Sequence, residues 1–229
     1  NDTDFEYDAL NKISWIKGSD YKIRLSAASS GYQSVLPLSL ITRFLSDLVL
    51  DNANKEDLSI KEKKQIEKEV NKVMNDKSLT DGVKFAMLRN ISSRFKYSCF
   101  VNIVEEMELN LYPESQRSVL FDLLSYANKI ELNRLVLTTH SPYVINYLTL
   151  AAKAFLLTQK ISANETLQER IKEVVPADSA IDPARLRIYE LKDGGVFRLS
   201  TYEGLPSDEN FLNIQLGVGF EKLIQESAE

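Results

Sequence analysis

Phe100-Val101-Asn102-Ile103-Val104-Glu105-Glu106-Met107-Glu108 is a short apolar run that ends abruptly in carboxylates. A β-branched run with little polar alternation suits a parallel strand covered on both faces. Three acidic residues then crowd the point where the chain leaves the sheet. Ligands of open α/β sheets sit beyond the carboxyl ends of the strands, so this exit is the first place to expect chemistry, and a magnesium nucleotide would suit it.

Further along, Arg134-Leu135-Val136-Leu137-Thr138-Thr139-His140-Ser141-Pro142 repeats the pattern: an apolar strand that ends in two hydroxyls and the only histidine of the chain. Ser141-Pro142 reads as the N-cap and first position of a following helix. Between the two runs, Glu114 to Ile130 carries Val119, Leu120, Leu123, Leu124 and Ala127 at helical spacing. The sum is a βαβ unit. A right-handed crossover places both strand ends on one edge of a sheet.

These residues resemble a known family. The run FVNIVEEMELNLYP, Phe100 to Pro113, is similar to the Walker B and D-loop segment of ABC-type ATPase heads, and TTHSP, Thr138 to Pro142, to their switch histidine. Upstream, Ala28-Ser29-Ser30-Gly31-Tyr32-Gln33-Ser34-Val35-Leu36-Pro37-Leu38 resembles the ABC signature in the SSGxQ form of ATPases from prokaryotic defence systems. Those proteins are akin to the OLD-family and Septu-type ATPases and, more distantly, to RecF and SMC heads. The order signature, Walker B, switch histidine is the family's order, and the three motifs span Ser26 to Tyr147. Tyr32 stands where Gln or Glu is usual, Glu105 where Asp is usual and Met107 where Pro is common.

The resemblance implies a P-loop NTPase-like α/β fold with a mainly parallel sheet, of which this chain is the C-terminal lobe. Residues 1–50 would form a hairpin and the signature helix, 51–96 a helical insertion, 97–160 the Walker B to switch-histidine core, and 161–229 the C-terminal helices and a hairpin. It implies ATP and Mg²⁺ as ligands. Ser29, Ser30, Gly31 and Gln33 would take the γ-phosphate of ATP held by the opposite subunit of a homodimer, since a helix N-terminus offers free N–H groups and a positive dipole end to an anion. Glu105 would hold magnesium. Glu106, just past the strand, would orient and deprotonate the attacking water. His140, as a neutral imidazole, would give a hydrogen bond to a γ-phosphate oxygen and sense its presence.

The remaining sequence fills in the frame. Lys12 to Lys17 and Tyr21 to Leu25 alternate around Gly18-Ser19-Asp20, as a hairpin does, with Trp15 a sheet-packing residue. A helix from about Gln33 to Leu50 would bury Val35, Leu36, Leu38, Ile41, Phe44, Leu45 and Leu48, with Pro37 near its first turn. The insertion reads as a solvated helix over Asp51 to Lys77 and a second over Leu79 to Phe95, with Val83, Phe85, Ala86, Leu88 and Ile91, leading on toward the central strand. After the switch histidine come a long apolar helix from Pro142 to about Thr158, a polar helix over Glu165 to Val175, a hairpin around Asp193-Gly194-Gly195, and a terminal helix over Asn210 to Gln225.

At 229 residues and 44% hydrophobic, the chain can bury a sizeable core. Net charge of −5 advertises no nucleic-acid surface, although DNA stays open as a partner beside an effector such as a nuclease. The single cysteine, Cys99, reads as a buried reduced thiol; with no apolar run of about 18 residues and no signal peptide, a cytoplasmic protein without a membrane partner is expected. No Gly-x-x-x-x-Gly-Lys-[Ser/Thr] is present, so these residues alone offer no backbone cradle for the α- and β-phosphates. Glu203-Gly204 near Asp208 resembles the acidic motif of the Toprim nuclease of OLD proteins, with too little chain after it for that domain. The expected function is an ATPase head, inactive as this chain alone, that dimerises around ATP and switches an effector or acts on nucleic acid in phage defence. The alternative is a degenerate head serving as a non-enzymatic interaction module.

Overall fold

The computed structural model describes residues 3–54, 59–94, 98–161 and 164–215. Three antiparallel strands open it, β1 Asp4–Asp8, β2 Ile13–Lys17 and β3 Lys22–Arg24, in the order β1-β2-β3. β2 and β3 are the expected hairpin, and β1 adds a third strand. Lys22 and Arg24 lie over the Trp15 ring at 5.0 and 5.6 Å, so the indole packs within this sheet. On the same face of the sheet Glu6 takes both Lys17, at 2.5 Å, and Lys22, at 3.0 Å.

Helix α1, Ser30–Asn54, follows a 3₁₀ turn at Leu25–Ala27. It starts earlier than its spacing suggests, which puts Pro37 well inside it. Its buried stripe also differs: Thr42, Ser46 and Val49 face inward, while Ile41 is 59% and Phe44 65% exposed. Thr42 explains the rotation. Its Oγ1 accepts from Asn102 Nδ2 at 2.9 Å, so small hydroxyl residues form the contact with the central strand. Ser30–Asp51 is long and apolar enough by length and composition to cross a membrane, which corrects the expectation that no such segment exists. The same helix contributes to the protein's own packing through Thr42, Ser46 and Val49.

Helices α2, Ile60–Asn75, and α3, Asp81–Arg94, pair with each other as the two-helix insertion. Ser59 and Glu62 close a capping box at the start of α2. Val73 and Ile91 are buried, while Val83 and Phe85 are exposed.

The centre is the βαβ unit: β4 Val101–Glu105, α4 Pro113–Asn128 and β5 Arg134–Thr138. β4 and β5 are parallel, from Val101 opposite Arg134 to Glu105 opposite Thr138. Asn133 sets the start of this register. Its buried carboxamide accepts from Phe100 N–H at 3.1 Å and donates to the Tyr126 carbonyl at 3.2 Å. Val104 joins Val119, Leu120, Leu123 and Leu124 of α4 and Val144, Leu148, Ala151 and Ala154 of α5, Pro142–Lys160, in the main core.

The expectation of a strand covered on both faces needs correcting. Alternation holds: Val104 is buried, whereas Val101, Ile103 and Val136 on the other face are 58%, 69% and 47% exposed. Leu135 and Leu137 pack with Val104 in the main core, so among the described residues only that face of the pair is covered. The parallel sheet is also smaller than expected, two strands, and the remaining sheets among the described residues are antiparallel. The fold is therefore mixed α/β.

After α5 come α6, Glu165–Val174, two 3₁₀ turns, the hairpin β6 Tyr189–Lys192 and β7 Gly195–Arg198, and the short pair β8 Thr201–Tyr202 and β9 Leu205–Pro206. The β6–β7 turn uses Asp193 and Gly194 at φ of 51° and 74°, which is the Asp-Gly signal of the sequence. Residues 211–215 are helical, and the rest of the expected terminal helix lies outside the described residues. Cys99 is half-buried with a free thiol.

Replacing Asn133 by Ala strands a buried amide and a buried carbonyl and lowers stability by about 2–4 kcal/mol, read from urea unfolding. A pH dependence is expected at Glu6, whose carboxyl Lys17 and then Lys22 hold below the usual carboxylate range. A depressed folded-state pKa contributes stability above the unfolded value and loses it as pH falls through the folded one. The thermal-midpoint gap between the wild type and Glu6→Gln is thus open at neutral pH and closes on acidification.

Candidate functional site

The parallel register delivers the two strand exits side by side. β4 ends at Glu105, directly opposite Thr138 at the end of β5. Pairing continues one step: Glu106 N–H donates to Thr138 O at 3.0 Å and lies 3.2 Å from Thr138 Oγ1. There the chain turns sharply, with Glu106 in the left-handed region at φ 47°. A non-glycine residue in that region is uncommon and costs on the order of 1 kcal/mol. The reversal brings the Glu106 side chain to the neighbouring exit, where its Oε1 lies 3.2 Å from His140 Nε2. The imidazole is 81% exposed and the Glu106 side chain 40%, so solvent or a ligand reaches both.

The loop from Glu106 to Tyr112 is held tightly. Leu109 N–H returns to Glu106 O and Leu111 N–H to Glu108 O, with Asn110 also left-handed at φ 61°. Met107 is buried in the main core and pins the turn from below. Glu108 Oε1 accepts from both Thr139 Oγ1, at 2.9 Å, and His140 N–H, at 2.6 Å. A second stitch runs through buried Gln116, which donates to Leu111 O at 3.0 Å and accepts from Ser141 Oγ at 2.7 Å. Ser141 does occupy the N-cap position of α5, but its hydroxyl serves Gln116 rather than the helix.

The signature residues lie beside this loop. Gly31, in the first turn of α1, approaches the Asn110 carbonyl so closely that a Cβ would sit 3.1 Å from its oxygen and 3.3 Å from Leu111 Cδ2. Only glycine fits there without displacement. Ser29 and Ser30 are exposed at the helix start. Gln33 is already engaged: its amide donates to Ala28 O at 2.8 Å and Ser26 O at 3.4 Å, bracing the turn before α1. Among the described residues no hydrogen bond joins Ser29 or Ser30 to Glu106 or His140. Two subsites therefore flank one loop.

Glu105 projects from the exposed face of β4, one residue before the turn. Among the described residues no group of three or more His, Cys, Asp or Glu side chains is placed to hold a metal. Magnesium is commonly bound by one or two carboxylates together with substrate phosphates, and Glu105 fits that partial donor set. Gln116 is the neighbour that motif reading passed over, and Thr138, Thr139 and Glu108 lay within the quoted motifs without an assigned role. Their signal was present: two hydroxyl residues before the histidine and a third carboxylate after Glu106. No family model, curated protein or solved structure matches the chain.

Substituting Ser141 by Ala leaves Gln116 Oε1 buried without its donor. The expected cost is about 1–3 kcal/mol in urea unfolding. The same change shifts the Leu111 and His140 amide resonances, because Gln116 joins both loops.

Proposed function

We propose that this chain supplies the hydrolytic half of an ABC-type ATPase head. The observation that carries the reading is the meeting of Glu106 and His140 at 3.2 Å, on adjacent exits of two parallel strands, with the glycine-bearing helix start of α1 packed on the same loop. Phosphoryl transfer asks little covalent chemistry of a protein; positioning of water and stabilisation of charge supply most of the rate. Glu106 has the reach and exposure to take a proton from an attacking water. His140 Nε2, 3.2 Å from Glu106 Oε1, would donate to a γ-phosphate oxygen. Glu105 would hold magnesium, which when bound offsets the charge gathering on the phosphate oxygens.

The cradle for the α- and β-phosphates is absent from these 229 residues. It has to come from a lobe that covers the bare face of β4 and β5, since parallel strands with apolar side chains on both faces call for cover on both. A second head would present its Ser29 and Gly31 to the nucleotide, making a homodimer closed by ATP, and turnover would release it to switch an effector or act on DNA in defence. A second reading is favoured by the exposed Phe85 and Val83 of the insertion: a degenerate head that binds a protein partner there without turnover.

ATP hydrolysis separates the two. The isolated chain is expected to release no phosphate above background. Once joined to a lobe carrying the phosphate-binding loop it turns over, and Glu106→Gln lowers kcat by about 10²–10⁴-fold, the usual weight of a general base. Wild-type turnover in the Glu106→Gln protein would exclude Glu106 as that base.

A further inference from the structure

The imidazole of His140 is 81% exposed, so packing does not aim it. Its direction comes from its own backbone and from Glu106. That backbone hangs on one atom. Glu108 Oε1 takes the His140 N–H at 2.6 Å and the Thr139 hydroxyl at 2.9 Å, and Thr139 Oγ1 in turn accepts the Ser141 N–H at 3.0 Å. Three consecutive residues of the β5 exit are thus tethered to a single carboxylate of the β4 exit, directly or at one remove.

The position of Glu108 follows from the turn beneath it. The left-handed residues Glu106 and Asn110 and the buried Met107 fold the loop back toward β5, so the carboxylate arrives between the two exits. The other oxygen, Oε2, is buried with no hydrogen-bond partner among the described residues. An unpartnered buried carboxylate oxygen is costly. A residue that breaks a local rule without a packing return is expected where function sets the requirement.

We propose that Glu108 is a positioning residue that holds the Thr139–His140 peptide so that the imidazole meets Glu106. It acts through the backbone of His140. The functional weight of the contact rests on the ATPase reading above, but the coupling itself does not.

The single histidine makes the test direct, since its ring Cε1–H resonance is unambiguous in a ¹³C-labelled chain. In the wild-type background Glu106→Gln shifts that resonance, because Glu106 Oε1 lies 3.2 Å from the ring. In a Glu108→Ala background most of that response disappears, because the imidazole no longer rests against Glu106. A folded Glu108→Ala chain that responds to Glu106→Gln as fully as the parent overturns the proposal. Should Glu108→Ala not fold, Glu108→Gln, which keeps the accepting oxygen, is expected to retain the response, and Glu108→Asp, which withdraws it by one methylene, to lose much of it. A full response in Glu108→Asp also overturns it. No nucleotide enters these measurements, so their failure is distinct from failure of the ATPase reading. In a preparation that turns over ATP, Glu108→Ala lowers kcat about tenfold or more and leaves KM within about twofold, as expected of a group that aligns a donor rather than binding substrate. Loss confined to KM would contradict a positioning role.

Discussion

Parallel pairing of β4 with β5 is the constraint on which the rest depends. Because Glu105 lies opposite Thr138, the two chains leave the sheet at the same height, and the residues that follow cannot avoid one another. Antiparallel pairing would send one exit to the far end. The crossover helix α4 makes the pairing possible, and its apolar side holds Val104 and α5 in one core. Asn133 fixes where the register starts, at the opposite end from the chemistry.

A register alone gives proximity, not a site. Conversion into a site takes the strained turn at Glu106, the buried anchor Met107, and two polar stitches, Glu108 and Gln116, that tie the exits together. Rigid scaffolding with exposed business ends is the arrangement expected of loops that carry function. Here the stitches are largely buried while Glu106 and His140 stay open. Gly31 brings a third element, the start of α1, against the same loop, so a change at any one of the three meets the other two within a few residues.

Much of this was legible in the sequence. Two apolar strands with carboxylates and a histidine at their ends, separated by a helical spacing, specify the βαβ unit and the placing of both strand ends on one edge of the sheet. The Asp193-Gly194 turn and the β2–β3 hairpin were equally plain. What periodicity misread has a common physical cause. Thr42 and Ser46 count as polar in a hydrophobic pattern, yet they line the inner side of α1, where Thr42 bonds Asn102; Ile41 and Phe44, counted as core, face outward. The covered sheet was over-read for a related reason: Val101, Ile103 and Val136 are the right residues for a buried face, but no described element covers it. Glu108 was visible as a third carboxylate, and its partners were not, since a hydrogen bond to the backbone of a residue on another strand leaves no trace in spacing.

The central claim is that Glu106 and His140 form one site across two strand exits. Nuclear Overhauser contacts from the His140 ring to the Glu106 side chain, in a uniformly labelled chain with a single histidine, test it most directly. The account predicts a clear cross-peak alongside those between Ile103 and Val136, which lie opposite each other in the same register. Cross-peaks along the strands with none between His140 and Glu106 would contradict it.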